Sequence, residues 1–212
     1  MLSRGSPLSK VVTIALRGMD ESDTFSIMLA TDSHLGYMDK DHVRGTDSFA
    51  AFEEVLMLCR ERGVDCLLLA GDLFHDNKPT RRTMHKGMSL LRRYALGDDP
   101  VGFQVISDQG ANFASGCVNY EDPHTAVSLP VFSIHGNHDD PTREGGVEAL
   151  CALDLLSVSN MINYFGRSER VDSVEIHPVL LKKGATRRSM SRTARQVRGL
   201  WGSVCVGGAP VV

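Results

Sequence analysis

Hydrophobic and polar positions alternate along this chain in two distinct rhythms. Three short runs are apolar but for a single serine in the first and last: Phe25 to Ala30, Cys66 to Ala70 and Val131 to Ile134. Continuous apolar runs of this length predict strands buried on both faces, as in a parallel sheet. Between the first two, Phe49, Phe52, Val55, Leu56 and Cys59 recur at helical spacing, so a helix is expected from Thr46 or Ser48 to about Arg62, with Gly63 ending it. The β-α-β unit this makes should cross over right-handed. Thr80 is placed to cap a second helix reaching Leu96, with Met84, Met88, Leu91 and Ala95 as a narrow stripe suited to packing on another helix. A third helix is expected over about Gly146 to Ser157, apolar nearly all round.

The intervening pattern is looser. Gly36 to Gly45 reads as a polar loop, and Gly97 to Leu129 is rich in Gly, Asp, Asn and Ser, with Val101 to Ile106 as its one expected strand. Residues 173–181 alternate weakly, predicting a strand or hairpin. Residues 1–24 read as a variable, poorly ordered lead-in, 25–187 as the folded pattern, and 188–212 as a separate, disordered tail. That tail has four arginines, four glycines, no lysine and no acidic residue. The fold class expected is α/β.

Composition narrows the picture a little. At 42% hydrophobic and 23% charged, 212 residues suffice for one substantial core. Five cysteines without a CxxC pair predict a reducing compartment and no structural zinc. Val11 to Leu16 is too short for a signal sequence and no window is long enough for a membrane span, so a soluble intracellular protein is expected. The net charge of -3 gives no basic footprint, so any contact with DNA must come from local patches.

The chemistry sits where the apolar runs stop. Thr31-Asp32-Ser33-His34, Gly71-Asp72-Leu73-Phe74-His75 and Gly136-Asn137-His138-Asp139 follow the three runs in order. The carboxyl ends of parallel strands open onto the crevice where α/β proteins bind ligands, so these groups should converge. Asp72, at a Gly-Asp turn, is the candidate bridging carboxylate between two cations. Asp32 and His34 would face one side of an extended segment and grip one cation, and Asn137 offers an amide oxygen to a second. His138 is the candidate for protonating a leaving oxygen. Lys40 and Arg44, in the first loop, are candidate phosphate contacts, with Arg81, Arg82, Lys86, Arg92 and Arg93 on the second helix as weaker ones. His42, His85 and His124 read as solvated or structural, and His135 as a supporting group.

These three motifs, extended through Leu35-Gly36, Asp76-Asn77-Lys78-Pro79 and Asp140-Pro141-Thr142, resemble the calcineurin-like metallophosphoesterases. More narrowly, with Leu150 to Asp154, Phe165 to Ser168 and Pro178 to Leu181, they resemble the nuclease subunits of the MRN double-strand-break repair complex, the meiotic recombination eleven family. The resemblance covers about Phe25 to Arg187. It implies a β-sandwich flanked by helices, incomplete at its C-terminus, and a nuclear Mn2+-dependent DNA nuclease with 3'-5' exonuclease and endonuclease activities. It makes Asp32, His34, Asp72 and Asn137 ligands of two Mn2+ ions, His138 catalytic, and His75 a neighbour that supports the site. It further implies DNA, a homodimer through the second and third helices, a coiled-coil SMC-like ATPase and a nibrin-type subunit as partners, with the ATPase-binding segment lacking here. The family's later histidine ligands have no counterpart after His138, so the chain is expected to be weakly active or inactive. The alternatives are a non-catalytic fragment that dimerises or binds nibrin and, less favoured, a phosphoprotein phosphatase. The sequence Phe74-His75-Asp76 argues against the last, because those phosphatases carry Asp-Arg-Gly there.

Overall fold

The computed structural model describes residues 10–16, 21–143, 149–167, 177–193 and 203–207. The elements are, in order, β1 (Lys10–Leu16), β2 (Phe25–Thr31), α1 (Asp47–Glu61), β3 (Cys66–Ala70), α2 (Arg81–Ala95), β4 (Gln104–Val105), α3 (Gln109–Asn112), β5 (Val131–Ile134), β6 (Thr142–Arg143), β7 (Ala149–Leu150), α4 (Ala152–Val158), β8 (Asn163–Tyr164), β9 (Val179–Lys183), β10 (Thr186–Thr193) and β11 (Ser203–Gly207). One sheet runs β1-β2-β3-β5-β8, a second β11-β10-β9-β4, and β6 pairs with β7 alone. From β2 to β8 the first sheet is parallel, while β1 lies antiparallel on its edge.

Because strand order advances in a single direction, right-handed crossovers lay α1, α2 and α4 on one face of the parallel sheet. The antiparallel sheet covers the other. Alternation along each strand feeds two cores. Met28, Leu67 and Leu69 pack with Phe52, Leu56, Leu91, Leu153 and Leu156 on the helical side. Ile27, Leu68, Phe132 and Ile134 meet Val179, Leu181 and Met190 between the sheets. The expected α/β class is therefore met, in the form of a parallel and an antiparallel sheet stacked together.

The three apolar runs are the three inner strands, and α1 and α2 begin and end within a residue or two of expectation. The Thr80 hydroxyl accepts from the Thr83 N–H and caps α2. Several expectations change. The lead-in contains β1, which pairs seven residues with β2 and closes an edge that would otherwise stay open. The helix expected from Gly146 begins at Ala152, where the Asp154 carboxylate accepts from the Cys151 N–H at 2.7 Å; residues 144–148 lie outside the described residues. Of the expected strand Val101 to Ile106, Gln104 and Val105 form β4 against β9, and the Ile106 N–H donates to the Leu180 carbonyl at 2.8 Å.

Rather than a loose loop, the Gly/Asn-rich segment folds back on β8. The Asn119 N–H donates to Asn163 Oδ1 at 2.7 Å, and Asn163 Nδ2 donates to Asn119 Oδ1 at 2.8 Å. The boundary expected at Arg187 falls inside β10, which runs on to Thr193 and pairs with β11 from within the expected tail. Ladder hydrogen bonds, blind to the change in composition, carry the sheet across it. Of the strand expected over 173–181, β9 supplies Val179 onward, and residues 173–176 lie outside the described residues.

Candidate metal centre

The loops leaving β2 and β3 continue the parallel pairing of their strands. The Asp32 N–H donates to the Gly71 carbonyl, the His34 N–H to the Asp72 carbonyl and the Leu35 N–H to the Leu73 carbonyl, at 3.2, 3.0 and 2.8 Å. This zipper sets the first two motifs side by side. Asp32, His34 and Asp72 all adopt left-handed backbone, with φ of 55°, 44° and 51°. The extended segment expected for Asp32 and His34 is thus replaced by a twisted one. Their side chains still meet, with His34 Nε2 3.8 Å from Asp32 Oδ1.

The third motif closes on the second. Gly71, at φ 107°, lies so close to Gly136 that an added Cβ would stand 3.0 Å from the Gly136 Cα. A Cβ on Gly136 would in turn run into the Asp72 carboxylate. Gly136→Ala should therefore displace that carboxylate, costing about 1–3 kcal/mol of stability. Urea denaturation would read the loss, and calorimetry a fall in divalent-cation affinity.

Asp139 holds this junction together. Fully buried, its carboxylate accepts from the Leu73 and Phe74 N–H groups at 2.8 and 3.4 Å and from the Gly136 N–H at 2.7 Å. Burial pushes its pKa up to about 6, with the three N–H donors pulling down and the nearby Asp72 charge pushing up. Nothing in the spacing of the sequence marks this aspartate as different from the half-buried Asp140 beside it. Asn77 and Asp140 add a second tie, the Asn77 amide donating to the Asp140 carbonyl and carboxylate.

Three imidazoles line the opening. The His75 and His138 rings stack at 5.1 Å, and His34 stands edge-on to both, at 5.4 and 4.8 Å. Tyr37 stands edge-on to His75 at 4.9 Å, a contact the sequence did not announce. His138 Nδ1 lies 2.7 Å from the His75 carbonyl, which can only accept, so this nitrogen carries the proton and Nε2 is left for other work. The His138 N–H donates to Asp72 Oδ1 at 2.8 Å. Burial holds the His34 pKa below its ordinary value, with the Asp72 carboxylate opposing. His135, as expected, is a buried supporting group, 2.5 Å from the Tyr164 hydroxyl.

Ligand-type atoms of Asp32, His34 and Asp72 lie within 4.8 Å of one another, and those of His34, His75 and His138 do likewise. Carboxylate oxygens with imidazole nitrogens and no thiolate fit a hard or borderline divalent cation. Asn137 sits exposed between Gly136 and His138 at the same rim. Of the two first-loop cations, Arg44 is exposed and paired with Asp47 at 3.1 Å, whereas Lys40 is simply exposed.

Residues 25–201 match the calcineurin-like phosphoesterase family. The chain belongs to that family. Among its phosphoesterase relatives, it is 55% identical over 175 residues to the double-strand break repair protein MRE11 of Mus musculus. It is 54% identical over 172 residues to that of Homo sapiens, and 56% over 173 residues to that of Arabidopsis thaliana. These alignments cover 81%, 80% and 79% of this chain, and 24% of each relative. The chain thus spans about a quarter of the length of the curated relatives it matches. The family match runs through the boundary expected at Arg187.

Proposed function

We propose that this chain carries the strand-end metal centre of a nuclear Mn2+-dependent nuclease that acts at DNA double-strand breaks, with exonuclease and endonuclease activity. The observation that carries the reading is the convergence of Asp32, His34 and Asp72 with His75 and His138 at the ends of β2, β3 and β5 in a phosphoesterase fold. Asp72 would be shared between two cations, with Asp32 and His34 completing the set for one and Asn137 contributing to the other. Bound cations would supply an activated water and neutralise charge on the scissile phosphate. The chain's own part is to orient and to move a proton. His138, fixed through Nδ1 to the His75 carbonyl, has Nε2 left to protonate the leaving oxygen. Buried Asp139 keeps the Asp72 and Gly136 turns in register without touching substrate.

The two candidate clusters among the described residues share His34, which leaves few donors for each of two cations, so turnover by the chain alone should be slow. DNA, the coiled-coil SMC-like ATPase and the nibrin-type subunit are the partners this reading entails for the whole protein.

A second, non-catalytic reading has its own observation. Between α2 and α4 lies a largely apolar groove of about 680 Å³, lined by Met84, Met88, Leu150, Ala152 and Leu155 with Lys78 and Arg81 among its polar residues. Such a face suits association of two copies through these helices. Incubation with Mn2+ and either blunt duplex DNA or a phosphopeptide separates the readings. Nucleotide release from DNA supports the nuclease, and phosphate release from the peptide overturns it. A dimer in light scattering that cleaves neither supports the non-catalytic reading.

A further inference from the structure

His75 belongs to the second motif but sits one ring away from the carboxylates. Its Nδ1 faces His34 Nδ1 at 3.4 Å. Two neutral imidazole nitrogens at that distance make a hydrogen bond only if one carries a proton and the other a lone pair. There are two ways to place that proton, and they have opposite consequences for His34.

If His75 donated, His34 would carry its proton on Nε2, directed into the gap of 3.8 Å that separates it from Asp32 Oδ1. That gap exceeds a hydrogen bond, and the nitrogen could no longer bind a cation. If His34 donates from Nδ1, its Nε2 lone pair and the Asp32 carboxylate face one another across the same gap. Two acceptors so placed are what a shared cation requires.

The surroundings of His75 favour a fixed acceptor. Its ring is stacked on His138 on one side and met edge-on by Tyr37, so it is restrained from turning its Nδ1 away. Metal-binding histidines generally give their second ring N–H to an outer partner that fixes tautomer and orientation. Most such partners are carboxylates or carbonyls. Here the position is filled by an imidazole.

We propose that His75 is a positioning residue that accepts the Nδ1 proton of His34, locking His34 in the tautomer whose Nε2 lone pair faces Asp32. This rests on the reading of Asp32, His34 and Asp72 as cation ligands. His75 thereby acts through His34 and not as a ligand itself. The stack with His138 also ties the tautomer of His34 to the orientation of the proton-donating histidine.

The test uses the purified chain with 15N-labelled histidine, and Mn2+ alone as the probe. In the metal-free wild type, two-bond 15N–1H correlations should show His34 protonated on Nδ1 and bare on Nε2. His75→Leu should scramble that tautomer and weaken Mn2+ binding about 10–100-fold. In His75→Asn, where the side-chain oxygen stands in place of the imidazole Nδ1, both should recover. Protonation of His34 on Nε2 in the wild type overturns the proposal, as does unchanged Mn2+ affinity in His75→Leu. Equal loss in His75→Leu and His75→Asn overturns it in favour of direct ligation by His75. If His75→Leu fails to fold, the wild-type tautomer decides alone. Wild-type Mn2+ affinity in Asp72→Asn would instead remove the metal reading beneath it, a result distinct from all of these.

Discussion

In a chain carrying Asp72→Asn, divalent-cation affinity falls by at least about 100-fold, beyond the loss usual for an outer-shell partner, and nuclease activity disappears with it. The substitution is chosen for what it keeps. The asparagine side-chain oxygen can still accept from the His138 N–H, the bond Asp72 Oδ1 makes at 2.8 Å, so the fold should survive. Only the charge between the two motifs is lost. Calorimetric titration with Mn2+ and a thermal melt on the same sample check both halves. Wild-type affinity with an unchanged melt would remove Asp72 from the centre of the site.

Asp139→Ala should do the reverse, attacking the fold before the chemistry. Three backbone N–H groups at Leu73, Phe74 and Gly136 converge on this buried carboxylate. Removing it strands them where water enters poorly, at a cost of about 3–5 kcal/mol. Asp139→Asn retains one acceptor oxygen but turns an amide N–H toward a backbone donor, and should lose about 2 kcal/mol. Urea denaturation followed by circular dichroism would rank the two. A loss under 1 kcal/mol for alanine would show that the motif junction does not depend on this side chain.

The inner strands were legible in the sequence because burial on both faces leaves no polar position in Cys66 to Ala70 and only the small Ser133 in Val131 to Ile134. The ligand-bearing turns followed from them, since strand ends fix where side chains can gather. What stayed hidden depends on partners distant in sequence. Lys10–Leu16 is a strand only because β2 offers it an edge, and its short apolar run carries no such information. Asp139 looks like any loop aspartate until the backbone of a segment more than sixty residues earlier folds around it. Likewise, the paired asparagines Asn119 and Asn163 turn a polar, loop-like segment into a packed one. The start of α4 was misplaced because an all-apolar stretch carries no phase, and the cap at Cys151 decides the boundary.

Asp32, His34 and Asp72 occupy a backbone region in which side chains with a Cβ cost of order 1–3 kcal/mol each. Their glycine neighbours Gly36 and Gly71 occupy it freely. A laboratory selection for thermal resistance alone, blind to turnover, would relieve that strain by replacing Asp32 and His34 with glycine, and Asp72 wherever the bond it accepts from the His138 N–H could be spared. The donors would be erased before the core was touched. Their presence in left-handed turns marks this rim as the place where heat tolerance and chemistry compete for the same residues, and any stabilised variant of the chain should be designed with those three positions held fixed.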